Sequence, residues 1–319
     1  MIEVKNLTKR YGNHLAVDHL NFTVESGKIY GFLGPNGAGK STTMNIMTGY
    51  LGATEGQVLI DGHDILKEPE EAKKNIGYLP EIPPLYMEMT VREYLEFAAE
   101  LKGIKKDKRE PQIEEVIRLA KLRAVENRLI QNLSKGYKQR VGLAQAVLGF
   151  PEIIILDEPT VGLDPKQIIE IRELIRKLAK KHTVILSSHI LAEVREVCDY
   201  IMIISGGKLV ASDTTENLEN MMSGKGQIEV EAKASRDEMD HIIRRTGKIK
   251  EVKYRTSASG ITTAQIIAKG GEDIREELFL AFSHADVPML TLNQSKTTLE
   301  EIFLELTQGS GNRMIKEGK

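Results

Sequence analysis

The sequence predicts an α/β fold with an inserted helical subdomain, followed by a smaller α+β domain. Two observations in the first two thirds carry this prediction: short, continuously apolar runs alternate with segments of helical spacing, and a glycine-rich turn joins a strand to a helix. A third is a change of pattern after about residue 222, where strands and helices follow in a new order. We therefore expect a first domain over 1–222 and an accessory domain over 227–307, before a tail at 308–319.

The strands of the first domain are short. Apolar runs such as Ile153–Asp157 and Thr183–Ser187 are typical of parallel strands buried on both faces. The strands predicted besides these are Ile2–Leu7, Leu20–Val24, Lys28–Leu33, Gln57–Ile60, Ile76–Leu79, Tyr200–Ile204 and Lys208–Val210. A helix is predicted over Lys40–Thr48, ending before Gly49.

Residues from about 85 to 135 have a different character. Apolar residues recur there at helical spacing, as in Val91 and Leu95, which predicts a helical subdomain inserted in the α/β core. The charged segment Lys105–Glu110 is predicted to be a solvated turn between two of its helices.

The accessory domain follows a plausible linker at Met221–Gln227. Its predicted order is βαββαβ, the split pattern of a ferredoxin-like sandwich. The predicted elements are Ile228–Lys233, Arg236–Arg245, Ile249–Arg255, Ile261–Lys269, Ile274–His284 and Pro288–Leu292. A last helix is predicted over Thr298–Thr307.

Composition excludes several classes of protein. The net charge of −2 and the absence of Trp argue against a nucleic-acid-binding surface. The one cysteine, Cys198, rules out an intramolecular disulfide and fits a reducing compartment. We find no signal peptide and no apolar run near the ~20 residues that span a bilayer. We therefore expect a cytoplasmic protein that meets a membrane only through a partner.

The strongest motif is GPNGAGKST at residues 34–42, a full match to G-x-x-x-x-G-K-[ST] between a strand and a helix. Backbone N–H groups of such a loop bind phosphate oxygens, and the helix N-terminus adds its positive end. Lys40 would reach the terminal phosphates and Ser41 would ligate Mg²⁺. A glycine-rich turn without a ligand is the alternative, which the full match and its flanks disfavour. The predicted nucleotide-binding residues of the loop are Gly34, Pro35, Asn36, Gly37, Ala38, Gly39, Lys40, Ser41 and Thr42.

Two acids and a histidine follow buried strands. Asp157 ends one apolar run, at the strand end where open α/β sheets place their ligands, and can bind Mg²⁺. Glu158 can accept a proton from an attacking water, so it is the predicted general base. His189 ends the next apolar run and can contact the terminal phosphate and orient the water. Helix or strand caps are the alternative roles for all three, and the phosphate loop favours catalysis.

The segment LSKGYKQR at 133–140 opens a helix and resembles the LSGGQ signature of the ATP-binding cassette family. Ser134 and Gly136 are kept, whereas Lys135 and Tyr137 replace Gly and Gln. Ser134 is placed to cap the helix, where its hydroxyl and the helix N-terminus form an anion site. In the family that anion is the terminal phosphate of ATP held by the opposite subunit, so the resemblance implies a site split across a dimer.

The resemblance covers residues 1 to about 220 and implies further roles. Tyr11 matches the aromatic residue that stacks on adenine, and Asp164 matches the loop that contacts the partner's phosphate loop. Glu81 stands where the family has Gln, in a position that links Mg²⁺ to the helical subdomain; a side chain that faces solvent or pairs with Arg92 is the alternative. The signature variant and the ending TLEEIFLELT look like the subfamily that powers two-component exporters.

The resemblance thus implies an ATPase that uses ATP and Mg²⁺ and forms a dimer with a second cassette. Because this chain carries one full set of motifs, the second cassette can be an identical chain. It also implies separate membrane permease subunits that hold the chain at the inner face of the cell membrane. Three alternatives remain. The first is a cassette ATPase acting on ribosomes or DNA, although such proteins usually carry two cassettes or a long coiled coil. The second is a small-molecule kinase, which would lack Ser134. The third is a regulatory module, which would not need Glu158.

Overall fold

The computed structural model describes residues 1–218, 227–257 and 260–295, together with Phe303 and Thr307. The chain divides into two compact units, the first built on residues 1–214 and the second beginning at Thr215. The predicted linker Met221–Gln227, the helix Thr298–Thr307 and the tail 308–319 lie outside the described residues, except for Gln227, Phe303 and Thr307.

The first unit contains two sheets. Its strands are β1 (Ile2–Tyr11), β2 (His14–Val24), β3 (Ile29–Leu33), β4 (Glu55–Ile60), β5 (His63–Asp64), β6 (Ile76–Leu79), β7 (Ile153–Leu156), β8 (Thr183–Ser188), β9 (Tyr200–Ser205) and β10 (Lys208–Thr214). One sheet has the order β10-β9-β3-β8-β7-β6 and is parallel except for β10. The other has the order β2-β1-β4-β5 and is antiparallel.

Helices connect and cover these strands. They are α1 (Lys40–Met47), α2 (Pro69–Lys74), α3 (Val91–Leu101), α4 (Lys106–Leu119), α5 (Lys135–Val147), α6 (Pro165–Leu178) and α7 (Leu191–Val197). Short 3-10 turns lie at Arg123–Val125 and Ile130–Asn132. Every residue of β3, β7 and β8 is buried, as expected for parallel strands covered on both faces.

One core joins the two sheets. Side chains of β1, β2 and β4 pack with those of β3, β7 and α1 in a single buried cluster. Phe22 and Phe32 meet edge to face across it, with ring centroids 5.3 Å apart. This core fixes the loop between β3 and α1 against β2.

The helical subdomain contains α3, α4 and α5, and one prediction for it is wrong. The segment Lys105–Glu110 belongs mostly to α4, which begins at Lys106. Lys, Arg and Glu are good helix formers, so a charged run does not by itself mark a turn. The guanidinium of Arg92 on α3 lies 2.9 Å from Glu110 and also contacts Glu114, which attaches the charged helix to its neighbour.

The second unit has the element order βαββαβ. Its elements are β11 (Gln227–Ala232), α8 (Arg236–Arg244), β12 (Ile249–Thr256), β13 (Thr262–Ala268), a 3-10 turn (Lys269–Gly271), α9 (Arg275–His284) and β14 (Met289–Ser295). The sheet is antiparallel with the order β12-β13-β11-β14. Both helices bury apolar side chains in one cluster with alternate residues of the strands, so this unit has its own core.

Within the described ranges, no helix is long and apolar enough to cross a membrane.

Candidate nucleotide-binding site

The glycine-rich loop lies between β3 and α1, at the carboxyl end of the parallel sheet. Gly39 precedes α1 with φ of +104°, a conformation that side chains rarely adopt. A Cβ added there would lie 2.5 Å from the carbonyl oxygen of Ala16 on β2. Only glycine therefore lets the loop turn tightly against β2 and start the helix at Lys40.

Lys40 is 5% exposed and its ammonium is held at the loop. Its Nζ donates to the carbonyl oxygens of Gly34 at 2.8 Å and Pro35 at 3.3 Å. The same Nζ lies 3.5 Å from Oε1 of Glu158. A positive charge is thus fixed beside the backbone N–H groups that can bind phosphate.

Asp157 follows β7 and is 3% exposed. Its Oδ1 accepts hydrogen bonds from the hydroxyls of Ser41 at 3.2 Å and Ser187 at 2.6 Å. A hydroxyl and a carboxylate in contact are oxygen ligands of the kind that Mg²⁺ prefers, so this pair fits the predicted metal. Among the residues the structure describes, no cluster of three or more His, Cys, Asp or Glu could hold a metal by itself.

Glu158 is held between Lys40 and His189. It has φ of +47°, in the left-handed region that non-glycine residues rarely occupy, and its N–H donates to Ser187 Oγ at 2.8 Å. Its side chain is 6% exposed, and Oε2 lies 3.0 Å from Nδ1 of His189. The structure therefore brings a carboxylate, an ammonium and an imidazole into contact at one sheet edge, which suits activation of a water beside a phosphate.

A tyrosine on the neighbouring strand stabilises the position of α1. Tyr78 on β6 donates its hydroxyl to Oδ1 of Asn45 on α1, at 2.8 Å. Burial, and secondarily the negative charge of Asp157, raise the pKa of Tyr78. The phenol therefore stays protonated and remains a donor at neutral pH.

The glycine-rich loop, Glu158 and His189 line a cavity of about 490 Å³. Its size is within the range of small-molecule sites. The predicted residues that line it are Tyr11, Asn36, Gly37, Gly39, Lys40, Ser41, Thr42, Glu81, Glu158 and His189. Gly34, Ala38 and Asp157 are buried and Pro35 is exposed, but none of these four lines the cavity.

Tyr11 lies at the rim of the cavity, 48% exposed. The ammonium of Lys9 lies 5.3 Å from its ring centroid. An exposed aromatic ring at the rim of a phosphate cavity can stack on a base.

Glu81 also lines the cavity and is exposed. The alternative partner Arg92 is engaged elsewhere, with Glu110, Glu114 and Glu126. A second carboxylate therefore faces the same space as Ser41.

Ser134, Gly136 and Asp164 lie apart from this cavity, at the start of two neighbouring helices. Ser134 caps α5 and is exposed, with Oγ accepting from the N–H of Tyr137 at 3.5 Å. Asp164 caps α6 by accepting from the N–H of Gln167 at 3.0 Å. A Cβ on the buried Gly136 would lie 2.3 Å from Gln167 Oε1, so glycine leaves room for the end of the Gln167 side chain of α6. Ser134 and Asp164 thus belong to a second cluster of the same chain.

Sequence reasoning missed two residues. Glu193 on α7 is 7% exposed and accepts from the hydroxyls of Thr160 at 2.5 Å and Ser188 at 3.0 Å. Thr160 and Ser188 stand next to the catalytic candidates in sequence, so Glu193 links the segments that carry Glu158 and His189. His14, which the sequence analysis does not name, also lines the cavity. No motif marks Glu193 or His14; only the short separation of Glu193 from the His189 turn could have drawn attention to it.

Comparison with known proteins agrees with this geometry. The ABC transporter family model matches residues 17–161. The bacitracin transport ATP-binding protein BcrA of Bacillus licheniformis is 43% identical over 221 residues, which cover 69% of this chain and 71% of BcrA. This chain belongs to the ABC transporter family of ATP-binding proteins. As an ABC ATP-binding subunit, it hydrolyses ATP and acts with membrane permease components.

The similarity to some relatives extends over both units. The linearmycin resistance ATP-binding protein LnrL of Bacillus subtilis (strain 168) is 31% identical over 308 residues, 96% of this chain and 98% of LnrL. Solved cassettes match the first two thirds. An ATP-binding subunit of an ABC transporter is 32% identical, with a TM-score of 0.64 over 69% of this chain and 92% of its own. A dimeric post-hydrolysis state of the cassette MJ0796 bound to ADP and Pi is 28% identical, with a TM-score of 0.61 over 67% and 98%.

Proposed function

We propose that this chain forms a homodimer that closes around two ATP molecules and powers a separate permease for export. The observation that carries the proposal is the division of the predicted site residues into two clusters. The loop, Glu158 and His189 line one cavity, and Asp157 lies beside it in contact with Ser41, whereas Ser134 and Asp164 lie outside it. Head-to-tail pairing of two identical chains would complete each cavity with the second cluster of the partner.

In this proposal each predicted site residue has its own role. Tyr11 stacks on adenine, while Gly34, Pro35, Asn36, Gly37, Ala38, Gly39 and Thr42 hold the phosphates through the loop. Lys40 neutralises the terminal phosphate. Glu158 accepts the proton of the attacking water, and His189 orients that water toward the phosphate.

Ser41 and Asp157 would hold Mg²⁺, with Glu81 close to it, and the remaining ligands would come from phosphate and water. The ion would supply charge stabilisation to the terminal phosphates. The hydroxyls of Ser41 and Ser187 support this assignment, because their hydrogen bonds already hold the Asp157 carboxylate oxygen in place.

Export is supported by the relatives. BcrA is a bacitracin transport ATP-binding protein, and LnrL is a linearmycin resistance ATP-binding protein. A permease encoded apart from this chain would hold the homodimer at the inner face of the cell membrane. We assign no nucleic-acid partner.

The domain limits 1–222 and 227–307 belong to the same proposal, as does a ferredoxin-like class for the second unit. The order β12-β13-β11-β14 with two helices in one core supports that class.

Mixed dimers test the split site. Ser134→Arg and Lys40→Ala should each abolish hydrolysis alone, since each spoils both composite sites of a homodimer. In mixed dimers the two defects can fall on one site and leave the other whole, so ATPase activity should return to about half per mixed dimer. The matched control is a mixture of Lys40→Ala with Glu158→Gln, which damages both sites and should stay inactive. Inactive mixed dimers of the first kind would refute the split site.

A further inference from the structure

In the second unit, α8 and α9 both pack on the same face of the sheet. Side chains of α8 and α9 share one buried cluster with Ile228 and Val230 of β11 and with Ala264 and Ile266 of β13. Because successive strand residues point to opposite faces, the residues between them point away from both helices. We call the side opposite α8 and α9 the open face, since neither of these two helices covers it.

The open face is organised in rows, because residues directly opposite one another in a sheet share a face. The first row is Asn293, Glu229, Gln265 and Lys253, and the second is Thr291, Glu231, Thr263 and Arg255. Each row runs from β14 through β11 and β13 to β12. In these two rows acids lie on β11 and bases on β12, with neutral residues of β13 between them, while the next row ends in the acid Glu251 of β12, opposite Ile267.

Among the described residues, no ion pair joins the two charge stripes to each other. Neighbouring strands lie ~4.8 Å apart, so β11 and β12 are separated by about 10 Å. Glu231 accepts hydrogen bonds from Thr263 at 3.3 Å and Thr291 at 3.0 Å, and Lys253 lies 3.5 Å from Glu251 on its own strand. In the part of the chain that the structure describes, Glu229 and Arg255 have no ion pair.

We propose that the open face docks on the same face of a second copy, about a two-fold axis that runs along β13. The proposal rests on the proposed homodimer. With this axis β11 of each copy lies over β12 of the other in the same rows, so Glu229 faces the partner subunit's Lys253, and Glu231 faces the partner subunit's Arg255. A two-fold axis across the strands would instead place β11 over β11 and oppose like charges.

The neutral residues of β13 meet their own copies at this axis. Gln265 is exposed there, and the apolar Ile267 is half-buried on the same face. An apolar pair between two polar rims is the arrangement found in small protein interfaces.

The size of the face defines what the contact can do. About this axis β12, β13 and β11 overlap, and three strands of about seven residues give a face of roughly 20 by 15 Å. Two such faces bury about 600 Å², less than the ~1,200 Å² of a stable interface. The contact therefore does not form a dimer alone. Once nucleotide holds two copies together, the effective concentration of one open face near the other is high, and the contact strengthens that dimer.

Cross-linking tests the axis directly. Gln265→Cys is placed in the full chain with Glu158→Gln, which should trap the ATP-bound dimer, and with Cys198→Ala, which removes the other thiol. A short bismaleimide should then link two copies when ATP is added, because Gln265 lies beside the axis. Glu276→Cys, exposed on α9 and pointing away from the open face, is the matched control and should not link.

Charge exchange tests the pairing. Adding Glu229→Lys or Lys253→Glu to this background should each lower the cross-linked fraction at least about fivefold at low salt, since like charges then meet twice. Both changes together restore opposite charges and should restore the cross-link, while Glu276→Lys should change nothing.

The outcomes separate this inference from the proposed homodimer. A dimer that sediments with ATP but gives no Gln265→Cys cross-link overturns the inference alone, and so does a loss that the double exchange does not reverse. Absence of any ATP-driven dimer overturns the homodimer and the inference with it.

Discussion

Replacing Glu158 by Gln should separate ATP hydrolysis from ATP binding. The amide has the shape of the carboxylate but cannot accept the proton of the attacking water. Loss of a general base lowers the rate by about 10² to 10⁴, which is about 2.7 to 5.4 kcal/mol in the barrier. Gln and Glu adopt the left-handed backbone conformation at φ +47° about equally, so the substitution should not disturb the fold.

The affinity of the Glu158→Gln variant for ATP should be unchanged or higher, for an electrostatic reason. Glu158 Oε1 lies 3.5 Å from Lys40 Nζ, where the attraction reaches about 5 kcal/mol at an effective dielectric constant of about 20. ATP competes with that carboxylate for the ammonium. Because Gln retains only a dipole, we expect the Kd for ATP to stay equal or fall.

The assay compares steady-state ATPase rates with nucleotide binding by the same protein preparations. Glu152→Gln is the matched control, because Glu152 is an exposed carboxylate just before β7 and should turn over normally. Turnover of Glu158→Gln within about tenfold of wild type would refute the assignment of the base. A parallel loss of ATP affinity would show that Glu158 shapes the cavity and does not act as the base.

Two further changes probe the surroundings of this base. Glu193→Ala should lower kcat about tenfold or more with KM for ATP changed less than about twofold, because the segments bearing Glu158 and His189 lose their shared acceptor. Glu193→Gln keeps an acceptor oxygen and should restore most of kcat; equal losses in both variants would remove Glu193 as a positioning residue. Glu81→Gln should shift the Mg²⁺ concentration for half-maximal turnover several-fold with little change in ATP affinity, and superimposable Mg²⁺ curves would show that Glu81 takes no part.

Sequence-local features were predicted well because their physics is local. The glycine-rich loop needs positive φ at Gly39 and a helix starting at Lys40, and a contiguous motif encodes both. β6 was predicted with the bounds it has, since a short apolar run between polar residues itself indicates a strand. The segment Lys105–Glu110 was misjudged because its helix is held by ion pairs to Arg92, which sequence spacing does not display.

The residue types of the candidate nucleotide site could therefore be predicted from the sequence alone: the loop, the lysine, the hydroxyl and the carboxylates are each marked by neighbours a few residues away. Only the tertiary structure decided that Glu158 lies between Lys40 and His189, and that Glu193 connects the segments of Glu158 and His189. Residues about 30 or more positions apart in the sequence meet only when the sheet forms. The same holds for the charge stripes of the second unit. Strand residues have fixed faces by alternation, but which acids and bases share a row depends on register, and register is set by pairing with strands far along the chain.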